Sequence, residues 1–237
     1  MATQEKFQGL ISRIETILAS YYGFEIELGA GDCLLPLTPD NPADPNADPT
    51  GTLFVTQDDE LYLGLGFSKG AADHAVLFEG LAQAGTHAEL KSKTIAALLV
   101  VIEEVSHFHL VSQRALLDLP TTRLELEWQA EIDKMIVLPN LIGTTGARVI
   151  LRGLRHFLVN KFTLRTGLSD EESSRYQAAT RFFDRAWRDE LLPLMATGPG
   201  AGIGADFGTA MMDPKIKKRL REFYRMSWSS KASVLAA

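Results

Sequence analysis

A glutamate and a histidine stand three residues apart within an apolar stretch, as Glu104-Val105-Ser106-His107. On a helix this spacing puts the carboxylate and the imidazole on one face. Carboxylate-bridged di-metal bundles use two such pairs and two further glutamates. This chain has one pair, so neighbouring helices would have to complete a site, with flanking Glu103 or Glu127 as possible contributors. The sequence predicts no cofactor, and the alternative that this half motif offers is a divalent transition metal held by Glu104, His107, Glu131 and His156.

Two helices joined by a short turn are expected to position these residues. Thr86-His87-Ala88-Glu89 and Thr122-Arg123-Leu124-Glu125 both have the capping pattern that satisfies backbone donors at a helix start. Asp118-Leu119-Pro120 ends the first helix, because proline lacks an N–H and disfavours helical geometry in the preceding residue. A short turn makes the helices antiparallel. His107 and Glu131 then lie at a similar depth, roughly 14 to 15 Å from the turn.

A buried polar cluster without metal is the alternative. An unpaired buried carboxylate costs several kcal/mol, so Glu104 and Glu131 would need donors from a basic helix further along the chain. A third possibility is general acid–base chemistry by a carboxylate whose pKa is raised by burial. His109 cannot share a metal with His107, because two residues turn a helix by about 200°. The candidate donors are Arg152, Arg155, His156 and Asn160.

The composition is that of a soluble globular protein. The chain of 237 residues is 46% hydrophobic and 23% charged, which is ordinary. Its longest apolar run, residues 95–102, is too short to cross a bilayer. The single cysteine, Cys33, excludes an internal disulfide framework and fits a reducing compartment. With an N-terminus unlike a signal peptide, these features predict a cytoplasmic protein without a membrane partner.

Charge is distributed unevenly along the chain. Residues 1–145 carry 8 basic and 21 acidic residues, whereas residues 146–237 carry 16 basic and 9 acidic residues. The halves either neutralise each other or present opposite faces to partners. Asp213-Pro214 starts a last helix whose cations could bind a polyanion such as nucleic acid. The alternative is a docked amphipathic helix with its cations extended to solvent; those cations are Lys215, Lys217, Lys218, Arg219, Arg221 and Arg225.

The remaining pattern predicts an α+β fold. An opening helix, a short strand at residues 24–28 and a hairpin of residues 53–56 and 61–67 indicate a small antiparallel sheet. A mainly α-helical bundle of four or more helices follows. We expect a subdomain at 1–70, with a Pro-rich loop at 36–51, and a bundle at 71–237. Within the bundle, residues 139–146 are predicted to be a loop between helices.

Two further motifs are weak. Asp44, Asn46 and Asp48 copy the start of a calcium loop, but Pro49 stands where its glycine belongs. The run Gly200-Ala201-Gly202-Ile203-Gly204 has no preceding strand to make it a dinucleotide site. Since no catalytic signature is recognised, whether the protein is an enzyme stays open. The sequence favours a non-catalytic binding or regulatory module with a protein partner, with a metalloprotein or a polyanion-binding protein as alternatives.

Overall fold

The computed structural model describes most of the chain. Described residues are 2–40, 49–58, 60–83, 92–160, 169–191, 193, 213–227, 229–231 and 233, without the side chains of residues 2, 81–83, 92 and 142–160. The capping box at residues 86–89, the calcium-like loop at 44–48 and the glycine run at 200–204 lie outside these residues.

The N-terminal part is a helix packed on a two-stranded hairpin, as predicted. Helix α1 is Ala2–Tyr22, and strands β1, Gly51–Gln57, and β2, Leu61–Phe67, pair antiparallel. The rings of Phe7 and Phe67 meet edge to face with centroids 5.2 Å apart, so α1 covers the hairpin. One buried cluster contains these rings together with apolar residues of the helical bundle. The division at residue 70 stays a prediction.

The predicted strand at residues 24–28 is wrong. This segment is irregular, because its contacts are made by side chains and not by a ladder. Phe24 stacks on His109 with centroids 5.1 Å apart, and Gln113 Nε2 donates to the Glu25 carbonyl at 3.4 Å. Residues 33–38 lie beside β2 instead, through a parallel bridge between Leu34 and Leu65. The lack of a side chain at Gly64 gives them room, because a Cβ there would lie 3.4 Å from Leu35 Cδ1.

The hairpin also makes a close contact with the bundle at Gly51. A Cβ there would lie 2.7 Å from Glu104 Cγ and 2.9 Å from both Phe67 Cε1 and Val100 Cγ1. We therefore expect Gly51→Ala to lower the free energy of unfolding by about 1–3 kcal/mol in urea denaturation, as overpacking does. Gly9→Ala is the matched control, because a Cβ at Gly9 meets nothing within 4 Å. Equal stability of the two variants would contradict this packing.

The bundle is formed by long helices. Helix α2 is Lys69–Gln83, α3 is Ser92–Leu116, α4 is Arg123–Asn160, α5 is Asp170–Arg185 with a π-helical continuation at Ala186–Leu191, and α6 is Pro214–Arg225. Together with the hairpin they form the predicted α+β arrangement.

The predicted antiparallel packing of α3 and α4 is present. Arg114 contacts Glu125, Ser106 contacts Asp133, and Lys134 contacts Glu103, so partners on the two helices run in opposite order. The cap at the start of α4 is also present, since Thr122 Oγ1 accepts from Glu125 N at 3.1 Å. Asp118 ends α3 in the left-handed region, with φ 51°.

The predicted loop at residues 139–146 is wrong. Helix α4 continues through Pro139 to Asn160. Proline removes one backbone donor from a helix, but tertiary packing outweighs that loss here. Ile136, Val137 and Leu138 are buried, and Asn140 Nδ2 donates to the Ile136 carbonyl at 2.7 Å. Local sequence preference is therefore overridden by burial of this turn.

Helix α3 is the core of the bundle. The segment Lys93–Leu116 is long and apolar enough to cross a membrane by composition, but 83% of its most apolar window is buried inside the protein. It also carries buried ionisable side chains at 103, 104, 107 and 109. This packing is consistent with a soluble protein; the cytoplasmic location stays a prediction.

Candidate metal centre

Three potential metal ligands meet between α3 and α4. Glu103 and His107 come from α3 and Glu127 from α4, and their ligand atoms lie within 4.8 Å of one another. Their exposed fractions are 3%, 7% and 8%. His107 Nε2 and Glu127 Oε2 are 3.8 Å apart. Metal–ligand bonds of about 2.0–2.2 Å put two ligands roughly 3 to 4 Å apart, so this pair fits one ion.

The two atoms that face each other lack other partners. His107 Nε2 and Glu127 Oε2 are buried and have no hydrogen-bond partner among the described residues. Buried polar groups normally find partners. The carboxylate of Asp133, nearby on α4, shows the usual arrangement: it accepts from Ser106 Oγ at 2.6 Å, from Gln129 Nε2 at 3.0 Å and from Tyr22. The two facing atoms at the candidate centre therefore have no hydrogen bond to a described residue that would compete with a bound ion.

Glu104 orients the imidazole. Its Oε2 lies 3.5 Å from His107 Nδ1, on the opposite side of the ring from Nε2. A carboxylate that binds one ring nitrogen fixes the tautomer and leaves the other nitrogen for a metal. Glu104 itself is 5% exposed and lies against Gly51 of β1. Glu104 therefore positions the His107 ring and is not one of the three converging ligands.

Helix α5 covers the two carboxylates. Tyr176 OH donates to Glu103 Oε1 at 3.3 Å, and Arg175 Nε lies 3.9 Å from Glu127 Oε1. These residues follow the Ser169 cap, where Ser169 and Glu172 form a capping box. The cap fixes where α5 begins and so which side chains reach the centre. One acid from each of α3 and α4 is thus held from a third helix.

A buried lysine holds the neighbouring carboxylate. Lys134 Nζ lies 2.8 Å from Glu103 Oε2 and 2.8 Å from Glu131 Oε1. Burial opposes its charge, but the charges of Glu103 and Glu131 raise the pKa of Lys134 above its ordinary value. Burial also raises the pKa of Glu131. The 2.8 Å contact pairs Glu131 with the ammonium group of Lys134.

The pKa values of the two facing groups are strongly displaced. Burial lowers the pKa of His107, but the hydrogen bond and charge of Glu104 and the charges of Glu127 and Glu103 raise it to about 9. Burial and the charge of Glu103 raise the pKa of Glu127 to about 7. Among the described residues, the centre and its surroundings hold the four carboxylates of Glu103, Glu104, Glu127 and Glu131 and the two permanent cations Lys134 and Arg175. A divalent cation beside a neutral His107 would balance them.

The predicted ligand set is only partly brought together. The structure brings His107 together with Glu103 and Glu127, the two flanking acids, and gives Glu104 and Glu131 partners of their own. The side chain of His156 lies outside the described residues. Binding of metal by the four predicted ligands stays untested. The i,i+4 spacings of Glu103–His107 and Glu127–Glu131 were the available signal, since such residues share a helix face.

The last helix is docked through its apolar face. Ile216, Leu220 and Phe223 of α6 are buried, and Arg221 Nε donates to the Tyr21 carbonyl at 2.9 Å. Arg219 pairs with Glu190 at 2.8 Å. Other cations of the predicted polyanion site, Lys215, Lys218 and Arg225, are exposed. Nucleic-acid or protein binding by this helix stays a prediction.

Comparison with known proteins adds no functional assignment. No protein-family model, curated protein or solved structure matches this chain. A function is therefore inferred from the chemistry of the candidate centre itself.

Proposed function

We propose that this protein binds one divalent transition metal ion through Glu103, His107 and Glu127. The main support is the facing pair of buried atoms, His107 Nε2 and Glu127 Oε2, at 3.8 Å and without other hydrogen-bond partners among the described residues. Glu103 supplies the third ligand from the same turn of α3 as His107. Glu104, Tyr176 and the Lys134–Glu131 pair hold these ligands in place.

The donor set indicates the class of metal. Imidazole suits zinc and iron, whereas carboxylates suit manganese and other hard cations. One nitrogen and two carboxylate oxygens therefore favour Mn²⁺, Fe²⁺ or Zn²⁺ over copper(I), which prefers sulfur. Three protein ligands leave a coordination position for water or another small ligand, unlike a closed structural zinc site.

Metal content tests the proposal directly. We expect the wild-type protein, expressed with each metal in turn and then dialysed, to retain about one ion per chain by elemental analysis. His107→Gln and Glu127→Gln should weaken binding by more than about 100-fold, because each removes a ligand. Glu104→Gln should cost about 10–100-fold, the usual effect of changing a residue that orients a ligand.

A matched control lies two residues from His107. His109 is on the same helix, is equally buried and also pairs with a glutamate, Glu15, at 2.9 Å. His109→Gln should therefore match the structural effect of His107→Gln while keeping the metal. Thermal melts of both variants would show that each is folded. Wild-type protein without stoichiometric metal, or equal loss in both variants, would reject the metal centre.

A further inference from the structure

Strand β1 has an open edge. Among the described residues it pairs only with β2, whereas β2 also has residues 33–38 along its other side. Leu65 N donates to the Cys33 carbonyl at 2.9 Å, and the Leu65 carbonyl accepts from Leu35 N at 2.8 Å. The backbone groups of Leu65 therefore point away from β1. Since this direction alternates along an antiparallel strand, the preceding residue, Gly64, is one that bonds to β1.

The register of the hairpin then decides which backbone groups of β1 are free. Phe54 lies opposite Gly64, so Phe54 uses its N–H and C=O to bond to β2. The residues on either side of it, Leu53 and Val55, point theirs to the open edge. No described residue hydrogen-bonds to these groups. Val55 is 50% exposed, so solvent reaches an edge whose unpaired backbone can bond to another strand.

Strand β1 also lacks the features that usually protect an edge. Natural edge strands are protected by charged side chains, prolines or bulges. β1 reads Gly-Thr-Leu-Phe-Val-Thr-Gln, and its pairing with β2 is continuous from Gly51 to Gln57. The ring of Phe54 lies over β2, since a Cβ at Gly66 would be 2.9 Å from Phe54 Cε2. The backbone at the edge is therefore accessible to a partner strand.

The sequence of β1 is complementary to itself. In either direction from Phe54 there is first an aliphatic residue and then a threonine. Two copies that pair antiparallel about a two-fold axis at Phe54 therefore place like beside like. The facing residues are Phe54 with Phe54, Leu53 with Val55, and Thr52 with Thr56. Aromatic and threonine pairs of this kind stabilise a sheet, and the strand carries no charges that would repel each other across the axis.

The free backbone groups are in phase with this arrangement. Leu53 and Val55, whose N–H and C=O point outward, face each other as a hydrogen-bonded pair. Phe54, whose groups are used by β2, faces its own copy as a non-hydrogen-bonded pair, in which the side chains are closer. A slip of one residue would place outward-pointing groups opposite inward-pointing ones and lose these bonds. Backbone and side chains thus favour the same two-fold register.

We propose that β1 pairs with β1 of a second copy of this chain, so that the two hairpins join into one continuous antiparallel sheet. The partner is a second copy because the strand is self-complementary about Phe54, is uncharged, and has its free groups in the matching phase. An interface of one strand edge is at the small, transient end of the size range. The dimer therefore depends on protein concentration, and it does not depend on metal binding.

Sedimentation equilibrium over a dilution series tests the dimer. We expect the mass of the wild-type protein to rise from one chain toward two as the concentration increases to about 0.5 mM, the range for a weak interface. Phe54→Lys puts two ammonium groups face to face on the axis and should weaken the dimer at least about tenfold. Tyr62→Lys is the matched control, because Tyr62 is 59% exposed but belongs to β2, one strand away from the edge.

A proline at the edge provides a second test without a change of charge. Val55→Pro removes an N–H that points outward, and edge strands accept proline. The hairpin should therefore keep its pairing, which a thermal melt would verify, while the dimer is lost.

Disulfide cross-linking tests the register. In a Cys33→Ser background, Phe54→Cys should form an intermolecular disulfide on oxidation with copper phenanthroline. Non-hydrogen-bonded partners have Cα atoms about 4.5 Å apart, which is within disulfide range. Val55→Cys should cross-link at least about tenfold more slowly, because its direct partner is Leu53.

Three results would overturn the proposal. The first is a wild-type protein that stays monomeric throughout the dilution series, which would leave the edge to a strand of another protein. The second is an equal loss of the dimer in Phe54→Lys and Tyr62→Lys. The third is equal cross-linking of Phe54→Cys and Val55→Cys.

Discussion

The metal-free protein should lose stability as the pH rises from 6 to 8.5, and bound metal should prevent most of that loss. The pKa of His107 is raised from 6.5 to about 9 in the folded state. The contribution of His107 to the free energy of unfolding is therefore fully present below pH 6.5 and is lost as the pH rises through about 9. The pKa of Glu127 is raised from 4.5 to about 7, so its contribution is present below 4.5 and lost as the pH rises through about 7.

Both effects have the same sign, because the folded state binds more protons than the unfolded state across this range. Together they amount to a decrease on the order of 3 kcal/mol between pH 6 and 8.5. A metal ion takes the place of the proton on His107, so its affinity rises with pH. We expect Zn²⁺, held at a fixed free concentration by a chelator, to raise the melting temperature more at pH 8.5 than at pH 6.

The comparison with variants isolates this effect from other titrating groups. His107→Gln should flatten the pH dependence of the metal-free protein and remove the response to Zn²⁺. His109→Gln should change neither. A metal-free wild type whose stability is constant or rises over this range would show that His107 and Glu127 do not share the buried environment described above.

Glu125→Gln should be the most destabilising single substitution in the α3–α4 turn region. Glu125 is fully buried, and its Oε1 accepts from Arg114 and, at 2.5 Å, from Lys231 Nζ. Both cations are also buried. Removal of the carboxylate charge leaves them uncompensated, which costs about 3–5 kcal/mol. In a domain of this size that lowers the melting temperature by roughly 10 °C.

Lys231→Met is the informative control. Burial lowers the pKa of Lys231 to about 8 despite the charge of Glu125, since Arg114 already neutralises that carboxylate. The protonated amine therefore disfavours the folded state at neutral pH, and stability from this group rises as the pH increases from about 8 to 10.5. We expect Lys231→Met to be neutral or stabilising at pH 7 and to remove that rise. A loss equal to that of Glu125→Gln would contradict the assignment.

Periodicity and capping predicted the large-scale fold correctly. The α1–hairpin unit, the antiparallel α3–α4 pair and the cap at Thr122 all follow from local rules that the sequence carries. Pro139 and residues 24–28 show the limit of those rules. In both places long-range burial and side-chain stacking decide the backbone conformation, and neither can be read from neighbouring residues.

The candidate centre lies on the two helices where the sequence predicts a metal site, but the acids that converge with His107 there are Glu103 and Glu127; binding by the predicted ligands Glu104, His107, Glu131 and His156 stays a prediction. The sequence predicts an interface of two helices, α3 and α4, and at such an interface Glu104 and Glu131 would meet. In the structure α5 packs over that interface, so Glu103 and Glu127 face the shared space while Glu104 faces β1. The position of a third helix depends on the whole chain. Its packing brings Glu103 to the centre in place of Glu104, one residue away, and Glu127 in place of Glu131, one turn away.

The buried polar contacts between α3 and α4 also have a consequence for how the two helices align. Three contacts follow one another along the two helices, and each joins a donor on one helix to an acceptor on the other. They are Arg114–Glu125, Ser106–Asp133 and Lys134–Glu103. Sliding one helix by a turn would leave every contact mismatched inside an apolar interior, at several kcal/mol for each stranded charge. An interface of leucines would tolerate such a slip. These contacts therefore specify a single register for the α3–α4 hairpin. They do so even where they add little to its stability.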